Sequence, residues 1–175
     1  MASEPRKAAE PRKAARSPVL FELAQLNTGS AVAVVGHPIH GMLVHFPIAF
    51  VIATLGVDFF YWWSGDPFWM RVGLWSAGFA FLTGLLASLV GIAELLLVSG
   101  IRARAQSWTH AVAAMTLLAI TGTNWGVRMV DPSDILPHAL MLSAMAVVMT
   151  AFAGWHGGKL VFDHGIGVLV SPTKK

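Results

Sequence analysis

Four long apolar stretches dominate the pattern of hydrophobic and polar positions along the chain. They cover residues 42–63, 72–98, 108–129 and 135–156, and short segments connect them. A helix needs about 20 apolar residues to cross roughly 30 Å of hydrocarbon. Backbone polar groups inside lipid must be satisfied within the segment, so each stretch is predicted to be a helix. Because short connections make consecutive helices antiparallel neighbours, the predicted fold class is an all-α integral membrane protein, an antiparallel four-transmembrane-helix bundle.

The segments outside these stretches divide the rest of the chain. Residues 1–17 contain two copies of Glu-Pro-Arg-Lys-Ala-Ala and no apolar face, which predicts a disordered basic tail. Residues 18–41 are interpreted as an interfacial helix and loop, with Pro18 at the first helical position. The transmembrane bundle is expected over 42–157 and a cytoplasmic C-terminal segment over 158–175.

Composition narrows the class of protein. The 175 residues are 55% hydrophobic and only 12% charged, whereas soluble domains carry about 25% charged residues. This excludes a soluble enzyme, a disordered chain and a nucleic-acid-binding domain, and it makes the lipid bilayer the first partner. The chain has no cysteine, which excludes disulfides, cysteine-based metal sites and covalently attached haem c.

The distribution of positive charge predicts the orientation. Ten of the 12 Lys and Arg residues fall in the N-terminal tail, the second connection and the C-terminal segment, against Arg71 and Arg128 on the other side. Positive residues are enriched in cytoplasmic segments. We therefore expect a multi-pass protein of the bacterial inner membrane with both termini cytoplasmic. The far side would carry an aromatic belt of Tyr61, Trp62, Trp63, Trp69, Trp75 and Trp125.

Polar residues inside the apolar stretches form lines along three predicted helices. Positions 18 residues apart share a helix face. This spacing relates Ser76 to Glu94, His110 to Arg128, and His138 to His156. Thr121 and Asn124 lie near the second line, and Met145 and Met149 lie close to the third. Because lipid does not tolerate such lines, we expect all three to face the interior of the bundle.

Six of the seven histidines and one carboxylate are predicted to converge at the cytoplasmic side. They are His37, His40, His45, His110, His156, His164 and Glu94, all candidate cofactor-binding residues. Haem b, the first candidate, needs two axial imidazoles, such as His45 with His110 or His110 with His156. A metal ion needs three or four ligands, which His37, His40, Glu94 and His110 would supply. A quinone head group needs one titratable partner. The alternative is a structural hydrogen-bonded cluster.

Several motifs carry a resemblance to a known family. His37-Pro-Ile-His40-Gly-Met-Leu-Val-His-Phe-Pro-Ile48, Gly65-Asp-Pro-Phe-Trp69, Trp108-Thr-His110 and the glycine-rich run over 157–168 resemble the bacterial membrane domain-of-unknown-function family 2231. The resemblance covers about residues 36–168 and implies four membrane helices with no established activity. Neighbouring Rieske, cytochrome c and quinoprotein modules in the family imply a redox setting. Gly41, His45 and Glu94 depart from the family pattern, whereas His37, His40, His110 and His164 match it.

Three functions remain open from the sequence. The first is a membrane subunit associated with respiratory electron transfer, with a redox partner protein or a larger membrane complex. The second is a structural anchor or accessory subunit without a cofactor. The third is a small transporter or proton pathway through Glu94 and His110. No nucleophile, base and orienting group stand together, so we expect no catalysis by the chain alone.

Overall fold

The computed structural model describes residues 26–170, so the predicted tail and most of the predicted interfacial helix lie outside the described residues. The described chain is predominantly helical. Its elements in order are the short strands β1 (Ala33–Val34) and β2 (His37–Pro38), then α1 (Ile39–Leu43), α2 (His45–Ser64), α3 (Pro67–Leu97), α4 (Ser99–Arg102), α5 (Ala105–Val130), a π-helical turn (Ile135–Ala139) and α6 (Leu140–Phe162).

The connection between α2 and α3 is shorter than the apolar pattern indicated. Gly65 ends α2 in the left-handed conformation, with φ 66°, which glycine adopts without strain. The Asp66 side chain then accepts a hydrogen bond from the Phe68 amide at 2.8 Å, and Pro67 occupies the first turn of α3. Both residue types favour a helix start, so α3 begins before the predicted position 72.

Three helical segments in the described part of the chain are long and apolar enough to cross a membrane. They are Ile39–Ser64, Pro67–Leu97 and Ile135–Phe162. The fourth long helix, α5, is not among these segments. Its sequence includes Gln106, His110, Asn124 and Arg128 among many threonines, which lowers its hydropathy. The four apolar stretches of the sequence predicted four membrane spans, whereas the length and hydropathy of the helices identify three candidate spans.

The burial of polar residues confirms two of the three predicted interior lines and corrects the third. Ser76 and Glu94 on α3, and Thr121, Asn124 and Arg128 on α5, are buried. On α6, His138 and Met145 are exposed instead. The inward line of α6 consists of Ser143, Ala146, Thr150 and Ala153, because close helix contact in lipid favours small side chains. His138 lies in the π-helical turn that precedes α6, outside the regular α-helix.

The outer surface of the long helices is apolar. Exposed side chains include Ile52, Leu86, Val112 and Val148. Trp62, Trp63 and Trp75 are also exposed, and Trp63 retains 80% of its surface. The first two lie near the Gly65 connection, at what we call the aromatic end of the molecule, where Val130 and the segment over 131–134 also lie. An apolar exterior around a polar interior is the reverse of the soluble pattern.

The opposite end is closed by two segments that pack against each other. The Ser30 amide donates to the Leu169 carbonyl at 2.7 Å, and the Gly167 amide donates to the Thr28 carbonyl at 3.0 Å. Ile166 also packs on the buried cluster of Leu95, Val98 and Ile101. We call this the histidine end, because α1, the end of α3, the start of α5 and the end of α6 lie there. The N-terminal loop and the C-terminal segment therefore form one cap.

Candidate functional site

The Glu94 carboxylate hydrogen-bonds to the N-terminal segment over residues 30–32. Its carboxylate accepts a hydrogen bond from the Ser30 hydroxyl. It also accepts from the backbone amides of Ala31 at 2.8 Å and Val32 at 3.0 Å. The side chain is 7% exposed, and three donors satisfy a buried carboxylate. Glu94 therefore acts in this structure as a clamp between the end of α3 and the cap.

His40 reaches from α1 to the main chain of α3. Its Nδ1 donates to the Ala87 carbonyl oxygen at 2.9 Å. A carbonyl only accepts, so Nδ1 carries a proton, and Nε2 is the ring nitrogen that remains without a hydrogen-bond partner among the described residues. Gly91 makes room for the ring, because a Cβ there would lie 2.7 Å from His40 Cε1.

His110 repeats this arrangement between α5 and α6. Its Nδ1 donates to the Ala153 carbonyl oxygen at 3.1 Å. Gly157 again stands beside the ring, where a Cβ would lie 3.0 Å from Cε1. Both rings are half-buried, and among the described residues nothing hydrogen-bonds to either Nε2. Two imidazoles from separate helices are thus held in the same way, through Nδ1, at the same end of the molecule.

Three of the other four candidate histidines hydrogen-bond within a few residues of their own position. His37 is exposed and bonds to the Val35 carbonyl oxygen at 2.9 Å. His45 bonds to Met42 and His156 to Phe152, each within its own turn. His164 is half-buried in the turn after α6.

The histidines and Glu94 do not assemble into a multidentate centre. Across residues 26–170, no three His, Asp or Glu side chains are arranged to hold a metal ion. The set of His37, His40, Glu94 and His110 is therefore not drawn together at one point.

A buried ion pair lies at the aromatic end. Arg128 Nη2 donates to Asp58 Oδ2 at 2.6 Å, and both side chains are 1% exposed. Asn124 Oδ1 accepts from Arg128 Nε at 2.8 Å. The Ser143 hydroxyl donates to Asp58 Oδ2 at 2.6 Å and accepts from the Asn124 side-chain amide at 2.9 Å. We call Asp58, Asn124, Arg128 and Ser143 the ion-pair network; it joins α2, α5 and α6.

Sequence reasoning missed this pairing. It assigned Arg128 to the positive charges outside the membrane, although Asn124 and Arg128 appeared on one polar line of α5. The available signal was a lone Asp58 within the first apolar stretch and a lone Arg128 within the third. Buried charges are paired, so two isolated opposite charges at similar predicted depth indicate partners.

These features define a helical membrane protein with an apolar exterior, a polar interior and a capped end. The chain belongs to the family described as "Predicted membrane protein (DUF2231)", whose model matches residues 36–169. This confirms the resemblance drawn from the histidine and glycine motifs. No curated protein and no solved structure matched the chain.

Proposed function

We propose that the chain is a four-span subunit of the bacterial inner membrane that binds a redox ligand through His40 and His110. The observation that supports this proposal is that the imidazoles of His40 and His110 each donate Nδ1–H to a main-chain carbonyl of another helix. Ligating histidines are oriented by this kind of outer hydrogen bond, which fixes the tautomer and leaves the other nitrogen available.

The orientation of polar side chains on α5 supports the fourth span. Its buried positions include Ser107, Thr121, Asn124 and Arg128. Its outward face carries Val112, 65% exposed, and Met115, 48% exposed. In lipid, a helix of this kind hides its polar side and presents its apolar side. The low mean hydropathy of α5 is then due to the polar residues on its buried face. With α5 as the fourth span, the four long helices form an antiparallel bundle.

Haem b is the first candidate ligand, because His40 and His110 each present an imidazole Nε2 that makes no hydrogen bond among the described residues. His40 and His110 would hold a haem b through their Nε2 atoms, since imidazole is a common ligand of haem iron. A bound haem would supply one-electron chemistry, which would place the chain in electron transfer with a redox partner protein or a larger membrane complex. A metal ion would need further ligands beyond these two nitrogens. A quinol would instead donate a hydrogen bond to one Nε2.

Substitution by asparagine separates the ligand role from the structural role. The asparagine Nδ2 stands near the place of histidine Nδ1, so His40→Asn and His110→Asn keep a donor for the carbonyl and remove Nε2. We expect wild-type protein, purified in detergent and titrated with haemin, to develop a bis-imidazole absorption spectrum. Each asparagine variant should lose that spectrum while keeping its thermal stability.

Two histidines provide matched controls. His45 lies next to α1 and His156 lies on α6, and each bonds only within its own turn. His45→Asn and His156→Asn should bind haemin like the wild type. Titrations with Co²⁺ and with a ubiquinone analogue distinguish a metal or a quinone from haem. Retention of ligand in both His40→Asn and His110→Asn would contradict the proposal.

A structural anchor subunit is the second candidate function. The same Nδ1 bonds tie α1 to α3 and α5 to α6, and that role needs no ligand. In that case the wild type binds none of the three probes, and the asparagine variants behave like the wild type in every titration. The alanine variants at His40 and His110, which lack the hydrogen-bond donor, would then be less thermally stable than the wild type, whereas the asparagine variants would not.

A further inference from the structure

The main chain of Val32 connects the Glu94 carboxylate to the start of α1. The Val32 amide donates to Glu94 Oε1 at 3.0 Å, and the Val32 carbonyl accepts from the amide of Ile39 at 3.1 Å. Ile39 is the first residue of α1, and His40 is the second. Two hydrogen bonds and one residue therefore separate the carboxylate on α3 from the helical turn that carries the His40 ring.

The segment between these two bonds has little stability of its own. β1 and β2 pair only Ala33 with Pro38 and Val34 with His37, and a pair of strands this short is not stable in isolation. α1 has five residues, none of them fully buried, and such a short helix does not form independently. The position of α1 therefore depends on the contacts that fasten the strands and the turn to the long helices.

The His40 ring and the Glu94 clamp use the same face of α3. Ala87, Gly91 and Glu94 follow each other at intervals of four and three residues, which places them on one side of a helix. His40 Nδ1 donates to the Ala87 carbonyl at 2.9 Å, and the ring packs on Gly91, where a Cβ would lie 2.7 Å from Cε1. A ring in such close contact keeps its hydrogen bond only if the start of α1 stays in place.

We propose that Glu94 is a positioning residue for His40, because it holds the start of α1, through Val32, where the ring meets Ala87. This inference rests on the proposed function, in which His40 is one of two ligand residues, and it makes the cap control that half of the site. The Nδ1 bond of His110 joins α5 to α6 and includes no residue of the cap. The two histidines should therefore respond differently to a change at Glu94.

Nuclear magnetic resonance of the full chain in detergent, without added ligand and with ¹⁵N-labelled histidine rings, tests the positioning role. The Nδ1–H resonances of His40 and His110 are assigned from their loss in His40→Asn and His110→Asn. In Glu94→Gln, we expect the His40 resonance to be lost through exchange with water and the His110 resonance to remain. An unchanged His40 resonance would overturn the proposal. Loss of both resonances would also overturn it, because the whole histidine end would then have loosened.

A pair of variants at Ile39 tests the middle of the connection. Proline lacks the amide hydrogen but suits the first position of a helix, and Pro38 is already extended, with ψ 119°, as the residue before a proline should be. Ile39→Ala shortens the side chain and keeps the amide. We expect the His40 resonance to be lost in Ile39→Pro and kept in Ile39→Ala. The same outcome in both variants would contradict a connection through the Ile39 amide.

Haemin titration separates this inference from the proposed function. If the wild type binds haemin, Glu94→Gln should weaken binding about tenfold, as is typical when a group that orients a ligand residue is removed. If the wild type binds no haemin and Glu94→Gln still loses the His40 resonance, haem binding is refuted and the positioning role is supported. If haemin binds equally well to both proteins and the resonance is unchanged, the positioning role alone is refuted.

Discussion

We expect substitutions of single charged residues to have large effects on the stability of this protein, because the charges of Asp58 and Arg128 are buried. Asp58 and Arg128 are each 1% exposed as side chains and lie 2.6 Å apart. Removing one member of a buried pair leaves the other charge uncompensated, which costs far more than the pair itself contributes. Three glycines matter for a different reason. Gly73, Gly91 and Gly157 each allow a large side chain to pack against the helix backbone, and those side chains are Arg128, His40 and His110.

A double-mutant cycle on the ion pair measures this coupling. Asp58→Asn and Arg128→Gln should each lower the free energy of unfolding by about 3–5 kcal/mol. The double variant should lose less than the sum of the two, because neither charge remains unpaired. Thermal unfolding in detergent, followed by circular dichroism, checks this. Additive losses would show that the pair is not coupled.

Gly91 tests whether close approach positions the His40 ring. Gly91→Ala places a Cβ 2.7 Å from His40 Cε1 and should destabilise the protein by about 1–3 kcal/mol through overpacking. It should also weaken binding of any ligand held by His40. Gly154→Ala is the matched control, with nothing within 4 Å of its Cβ. The control should be neutral or stabilising by up to about 1 kcal/mol, as expected for alanine in a helix.

At the scale of elements, a single carboxylate holds the cap on the end of α3. Glu94 accepts from one hydroxyl and two backbone amides of residues 30–32. Strands β1 and β2 have two residues each, which is too little for an independently stable hairpin. The order of this segment therefore depends on contacts with the helices.

Neutralising the clamp should release the segment locally. Glu94→Gln replaces one of the two accepting oxygens by an NH₂ group, which only donates. We expect the free energy of unfolding to fall by about 1–3 kcal/mol. Hydrogen exchange at the amides of Ala31 and Val32 should speed up, while exchange in α6 stays unchanged. Ser30→Ala, which removes one donor of three, should have a smaller effect. Equal exchange in Glu94→Gln and wild type would show that the cap is held by other contacts.

Cysteine labelling tests whether α5 spans the membrane. The chain has no cysteine, so single substitutions can be labelled without background. Ala119→Cys lies on the exposed face in the middle of α5, and Gln106→Cys lies on the exposed first turn. A membrane-impermeant maleimide should label Gln106→Cys in permeabilised cells and spare Ala119→Cys. Equal labelling of both would place α5 in water.

At the scale of the whole molecule, the two ends differ in chemistry. The histidine end carries the cap and the candidate ligand residues. The aromatic end exposes Phe59, Phe60, Trp62 and Trp63, which surround a surface recess of about 250 Å³. Aromatic rings favour the interface between lipid and water. The charge distribution in the sequence predicts that the histidine end faces the cytoplasm.

Orientation is testable with the same labelling chemistry. Ser133→Cys lies in the exposed segment at the aromatic end, and Ala103→Cys lies in the exposed turn after α4. In intact cells, we expect an impermeant maleimide to label Ser133→Cys and to leave Ala103→Cys unlabelled until the membrane is opened. The reverse pattern would place both termini in the periplasm.

Hydrophobic length and family motifs were readable from the sequence because they depend on local chemistry alone. A run of apolar residues must become a helix in lipid whatever surrounds it. The four long helices therefore lie where the apolar stretches predicted them, with ends shifted by caps such as Asp66 and Gly65. The inward lines of Ser76 with Glu94 and of Asn124 with Arg128 followed from helix periodicity in the same way.

Tertiary structure alone decided which polar groups meet. Helical phase indicates a face but does not determine the partner across it. The sequence offered Asp58 and Arg128 only as two isolated opposite charges, and the structure showed that they meet at 2.6 Å. Glu94 accepts hydrogen bonds from the backbone amides of Ala31 and Val32. Every residue except proline has such an amide, so the sequence does not indicate which amides Glu94 binds. His40 and His110 differ from His45 and His156 only through carbonyls that lie 47 and 43 residues away. Packing between helices sets these contacts, and it depends on volumes and distances that a one-dimensional pattern does not contain.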